Sequence, residues 1–134
     1  MGSGSSNRVG NIDVNSDQNL IDGNYGEYGE VFIGKNNLAD FVFDHRFIFV
    51  DVEECDHYKI YEWTKHGLKM FASDSYPIYE RKYLGYANVK DVYNISKRIS
   101  SGKEFSLVSF NCKDWVKEFK KKFRYVKQWI NYIF

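Results

Sequence analysis

A chain of 134 residues, 43% hydrophobic and 28% charged, is the size of one ordinary globular domain and leaves no room for a second sizeable core. Nineteen basic against eighteen acidic side chains give a formal charge of +1, which excludes the lopsided balance of a dedicated nucleic-acid binder. Two cysteines, Cys55 and Cys112, exclude a disulfide-stapled scaffold, no apolar run is long enough for a spanning helix, and a reduced, cytoplasmic setting is the expectation.

Near-neutrality hides an uneven distribution. From Lys113 onward seven basic residues face two acidic ones, a local +5, whereas Arg8 is the one base before Glu30 against four acids, a local −3. Residues 1–28, dominated by Gly, Ser, Asn and Asp, are expected to be disordered or tag-like. Their opening, from Met1 to Ser6, reads either as a cloning remnant or as an N-myristoylation pattern with Gly2 as acceptor. Residues 29–134 are expected to form the domain.

Glu30 to Gly34 reads as a short strand ended by Gly-Lys-Asn-Asn. Phe41 to Val50 is β-branched and aromatic on both faces, as a central rather than an edge strand is. A polar turn over Val52 to Asp56 leads to an alternating strand from Tyr58 to Trp63. His66-Gly67 then punctuates before a third hairpin partner at Leu68 to Phe71. Pro77 falls in a loop. Val89, Val92, Ile95 and Ile99 have helical spacing, and Phe105 to Phe110 returns to strand character. Val116, Phe119, Phe123, Val126 and Ile130 recur at three and four residues, predicting a final helix that opens at Asn111. The whole is α+β, a small antiparallel sheet packed with helices.

Cys112 follows a strand-like segment and opens that helix, with Asn111 as its N-cap. Orphan N–H groups and the positive end of the helix dipole there favour a thiolate, the form in which cysteine is a nucleophile. Of the three histidines, His45 lies in the most apolar strand, where a polar ring needs a partner, whereas His57 and His66 sit at turns. With a turn centred near Glu53-Glu54, residue 52 opposes 55 and His45 opposes Glu62, roughly 5 Å apart at Cβ. Glu62 can then orient the imidazole toward Cys112. His57, the alternative third group, lies about five residues nearer the turn, roughly 16 Å along the strand. The candidate catalytic set is Cys112, His45 and Glu62, beside the plain alternatives of a buried cysteine, a satisfied core histidine and a solvated glutamate.

Three features resemble the permuted branch of the NlpC/P60 papain-like superfamily, in particular its lecithin:retinol acyltransferase-like and HRAS-like suppressor members. Glu30-Val31-Phe32-Ile33 followed by Asp44-His45-Arg46-Phe47-Ile48-Phe49-Val50 resembles the family's first strand and its His element. Glu62 falls on the next strand, where the family has a third polar residue. Phe110-Asn111-Cys112-Lys113-Asp114-Trp115-Val116-Lys117-Glu118-Phe119 resembles its Asn-Cys box. The chain departs at Arg46, where the family has an aromatic residue, and at Glu62, where a second histidine is commonest. The resemblance implies a permuted papain-like fold with a nucleophile helix and a cofactor-free thiol hydrolase or acyltransferase. Such an enzyme works through a thioester on a lipid ester or amide, or on a peptide or isopeptide as in the PPPDE peptidases.

The lysines of the last helix, with Trp115, Phe123, Trp129, Tyr132 and Phe134, form a basic aromatic segment suited to an anionic membrane surface. The plain alternative is a helix whose apolar face packs on the core and whose lysines are solvated. A catalytically inactive interaction module on the same fold is the competing reading from another class. Nucleic-acid binding has little support outside this last helix, and a zinc site at Cys55, His57, His66 and Cys112 has little because no ligand pair has finger-like spacing.

Overall fold

The computed structural model describes residues 27–37 and 44–133, with the side chains of 129–133 left aside. Five strands, β1 (Tyr28–Asn36), β2 (His45–Val52), β3 (Tyr58–Thr64), β4 (Gly67–Ser73) and β5 (Glu80–Asn88), form one antiparallel sheet. Among the described residues two helices, α1 (Val89–Ser100) and α2 (Cys112–Ile133), pack with it in an α+β fold. The strand order is β4-β3-β2-β1-β5, so β2 is central, as its apolar character on both faces requires.

Each face of the sheet has its own cover. Ile48, Val50 and Val52 of β2, with Tyr61 and Trp63 of β3, meet Val89, Val92, Ile95 and Ile99 of α1 and Trp115, Val116, Phe119 and Phe123 of α2. On the other face Phe47, Phe49, Ile60 and Phe71 gather Phe32, Tyr58, Tyr76 and Ile78 around them. Rings pack on rings in this layer: Phe32 stacks on Phe49 at 5.0 Å, and the Arg81 guanidinium lies 5.2 Å from the Phe49 centroid. Gly34 has a specific use here. A Cβ on it would lie 2.4 Å from the Phe47 ring, so only glycine lets that ring rest across β1.

Several boundaries differ from expectation. Tyr28 opens β1 and Glu27 pairs with the buried Lys59 at 2.7 Å, while residues 1–26 lie outside the described residues. β1 runs through Lys35 and Asn36 instead of stopping at Gly34. β5 was not foreseen. It is an edge strand with a charged, exposed first half and an irregularity opposite Val31/Phe32, so it carries no alternating apolar signal. The segment from Phe105 to Phe110 makes one isolated bridge, Ser106↔Phe110, around a turn, because Ser106 Oγ accepts from the Val108 and Ser109 N–H groups. Met1 to Ser6 and Phe41 to Phe43 lie outside the described residues.

The β2–β3 connection also shifts the expected register. The turn does form, with Cys55 N–H donating to Val52 O at 3.2 Å, but the extra loop residues fall on the β3 side. Asp51 therefore pairs with Tyr58 and Ile48 with Tyr61, two residues from the symmetric hairpin. Because strand faces alternate with a period of two, a shift of two keeps Glu62 on the His45 face, diagonal to it rather than opposite.

Candidate active site

The start of β2 and the start of α2 meet at one end of the sheet. Asn111 caps α2: its Oδ1 accepts from Lys113 N–H at 2.9 Å and Asp114 N–H at 3.2 Å, while Asp114 Oδ2 accepts from Asn111 N–H at 3.0 Å. This reciprocal cap makes Cys112 the first helical residue, with its own N–H free of any intrahelical partner. The segment before it is fixed by Trp63, whose Nε1 donates to Phe110 O at 3.2 Å and whose ring meets Phe110 edge-on at 5.5 Å. Trp115 is anchored by its Nε1 donating to Ser100 Oγ at 2.9 Å. The sulfur is thereby held against the first residues of β2, 4.0 Å from Asp44 O.

His45 comes to that point from β2, its ring stacked on Phe47 with centroids 5.8 Å apart. Its Nε2 lies 2.8 Å from Glu62 Oε2, and the ring shares a hydrogen bond with the Cys112 thiol. All three groups are buried, with 3% of Cys112, 3% of His45 and 6% of Glu62 exposed, so their interactions act in a medium that screens charge weakly. The structure thus brings together Cys112, His45 and Glu62. It does not bring in His57, which sits in the β2–β3 loop at the far end of β2, with Nδ1 3.4 Å from Asp56 Oδ1. The length of β2 separates the two histidines, roughly 23 Å. His66 is exposed in the β3–β4 turn. No group of three or more metal-ligating side chains is found among the described residues.

Two further residues complete the arrangement. Tyr76 Oη donates to Glu62 Oε2 at 2.5 Å, the length of a charge-assisted hydrogen bond. Asn36, directly across the ladder from His45, donates from Nδ2 to Pro77 O at 3.1 Å. With Tyr79 N–H on Lys35 O at 2.8 Å, these contacts pin the loop carrying Tyr76 to the end of β1. No signal in the sequence marks Tyr76: it lies outside any periodic element, fourteen positions from the carboxylate it serves.

The electrostatics follow from this geometry. Burial alone pulls the His45 pKa down, but the hydrogen bonds to Cys112 and Glu62 and their negative charges outweigh it and raise the value to about 9. Burial pushes the Cys112 thiol up, yet the His45 hydrogen bond, the Arg46 backbone N–H, the His45 charge and its own N–H bring it below the ordinary value. Burial, the Glu62 charge and the Glu62 hydrogen bond keep the Tyr76 phenol protonated as a donor. Removing that donor by Tyr76→Phe is expected to cost about 1.5–3 kcal/mol, the range for a hydrogen bond to a charged group. Urea unfolding reads the loss, and an unchanged midpoint would show that Tyr76 gives Glu62 nothing.

Along α2, Trp115 and Phe123 are buried in the core, as the plain alternative for this helix has it. The side chains of Trp129, Tyr132 and Phe134 lie outside those described. Among the described residues no helix is long and apolar enough to cross a membrane. No family model, curated protein or solved structure matches this chain.

Proposed function

We propose that the protein is a cysteine-dependent hydrolase or acyltransferase on a permuted papain-like fold, with Cys112 as nucleophile, His45 as general acid and base, and Glu62 as the residue that positions His45. The observation that carries this reading is the buried grouping of sulfur, imidazole and carboxylate, with His45 Nε2 2.8 Å from Glu62 Oε2 and the Cys112 thiol near enough to raise the ring's affinity for its proton. A structural cysteine does not need an imidazole whose affinity for its proton has been raised, nor a carboxylate held on that imidazole by a tyrosine.

The chemistry runs as follows. With its proton on His45, the Cys112 thiolate attacks the carbonyl carbon of an ester or amide, and a C–S bond forms. The Cys112 and Arg46 backbone N–H groups, which already face the sulfur, are placed to stabilise the oxyanion. The intermediate collapses as the C–O or C–N bond breaks and His45 gives its proton to the departing alcohol or amine. Water, or an acceptor alcohol or amine, then attacks the thioester while His45 takes its proton. Cys112 leaves as thiolate, restoring the starting pair. Water gives hydrolysis and another acceptor gives transfer.

The test is the alkylation of Cys112 by iodoacetamide, followed by mass spectrometry across pH. Because the thiolate persists below the ordinary thiol pKa, Cys112 is expected to react about tenfold faster than a small free thiol at pH 6, after allowing for the lower nucleophilicity of a low-pKa thiolate. A rate no greater than that of the free thiol overturns the reading.

A further inference from the structure

A groove of about 500 Å³ runs along α2 from Lys113 to Lys120. Six cations line it: Lys35 from β1, Arg46 from β2, Lys82 from β5, and Lys113, Lys117 and Lys120 from α2. It adjoins the candidate site through the chain: Arg46 follows His45 and its backbone N–H helps to lower the Cys112 pKa, and Lys113 follows Cys112. The two acids on its walls are already engaged. Glu80, together with Asp44, pairs with Lys35 at 3.6 and 3.0 Å, and Asp114 caps the helix through Asn111 N–H. Arg46, Lys82, Lys117 and Lys120 form no ion pair among the described residues. Lys120 lies against Lys82, and that like charge, with Arg124 adding to it, holds the Lys120 pKa below its ordinary value. Cations gathered on one concave surface repel one another, a cost that an anionic ligand removes.

The shape narrows the ligand. Eight of the ten lining residues are charged, six of them cations, so charge is the groove's distinguishing chemistry. Lys113 and Lys120 are seven residues apart on α2, about 10 Å at the helical rise. That matches about three residues of extended peptide at ~3.3 Å each, with same-side carboxylates about 6.6 Å apart. A single phosphate is too small to engage cations spread over that length from three strands and a helix.

We propose that this groove binds an acidic peptide segment next to the acyl group that Cys112 attacks, so that the substrate is a peptide or protein amide flanked by Asp or Glu; the substrate role rests on the cysteine chemistry proposed above. The experiment is fluorescence anisotropy of a labelled peptide of alternating glutamate and aspartate with the full chain, beside its neutral glutamine and asparagine counterpart. The acidic peptide is expected to bind, with affinity falling steeply as salt rises. It should bind about tenfold more weakly to the Lys82→Gln, Lys117→Gln, Lys120→Gln triple variant, and normally to the matching Lys→Arg variant, which keeps the charge. Circular dichroism of both variants separates lost charge from lost fold. Equal binding of the acidic and neutral peptides overturns the proposal. So does a glutamine variant that stays folded and binds as tightly as the parent. Capture of inorganic phosphate or of phosphatidylserine vesicles through the same lysines, without the acidic peptide, overturns it in favour of a headgroup. The cysteine chemistry fails separately, through slow iodoacetamide alkylation, and the peptide-binding result does not depend on that rate.

Discussion

Exchanging His45 for Gln is expected to slow the acylation of Cys112 by p-nitrophenyl acetate by about 100- to 10,000-fold, the usual contribution of a positioned general acid–base group. Glutamine is the informative replacement. Its amide can still donate to Glu62, so the buried carboxylate keeps a partner and the fold keeps its end of β2, whereas alanine would strand that charge. What disappears is the group that receives the thiol proton and supplies one to the leaving group. The thiol then returns toward its ordinary pKa, so the loss should be greatest near pH 6 and shrink as pH rises and free thiolate appears. The burst of p-nitrophenol, followed from pH 5.5 to 9, reads both parts. A burst of unchanged size and rate in the variant would leave Cys112 working without His45, contrary to the mechanism above.

Glu62→Ala should have the largest effect on stability. It removes the acceptor for both the His45 ring and the Tyr76 hydroxyl, at 2.8 and 2.5 Å, from a place that water barely reaches. Breaking one side of a buried ion pair costs about 3–5 kcal/mol. The loss should depend on pH in one direction. The His45 pKa is raised from 6.5 to about 9 in the folded protein, so its contribution is full below pH 6.5 and is lost as pH rises through about 9. The gap in unfolding free energy between parent and variant should therefore be wide at pH 6 and narrow at pH 9.5. Glu62→Gln, which keeps an acceptor but not the charge, should fall between the two. Denaturant titrations at the two pH values measure this, and a gap that widens with pH would contradict the assignment of charge to His45.

How far the site could be read from the sequence depends on what kind of signal each residue carries. Cys112 was legible because a cap and a helical apolar period converge on one position, although the segment before it is a turn around a single bridge rather than the strand expected. His45 was legible because a polar ring inside Phe41 to Val50 demands a partner. Glu62 was reached through a hairpin register that proved two residues out, and the parity of strands preserved the conclusion although the pairing was wrong. The loop residues after Glu54 decide that register through three-dimensional accommodation, with Glu54 itself at φ 61, and no local pattern encodes it. Tyr76 and Asn36 were invisible for a different reason, since their roles exist only once the loop after β4 folds back on β1. β5 escaped because an edge strand with one exposed, charged half need not alternate. The groove was half visible: the +5 of the final segment was plain, but that Lys113, Lys117 and Lys120 share a wall with Lys35, Arg46 and Lys82 requires the sheet order.

The loop joining β2 to β3 makes chain length there an odd-or-even matter. Adding or deleting one residue, unless a bulge absorbed it, would turn Glu62 toward the helices and bring Tyr61 or Trp63 round in its place. Changing it by two would slide the partner along the same face. Variation at a connection that lies the whole length of a strand from the sulfur would thus be filtered by arithmetic rather than by proximity, and size differences in that loop that leave the site intact should come in pairs.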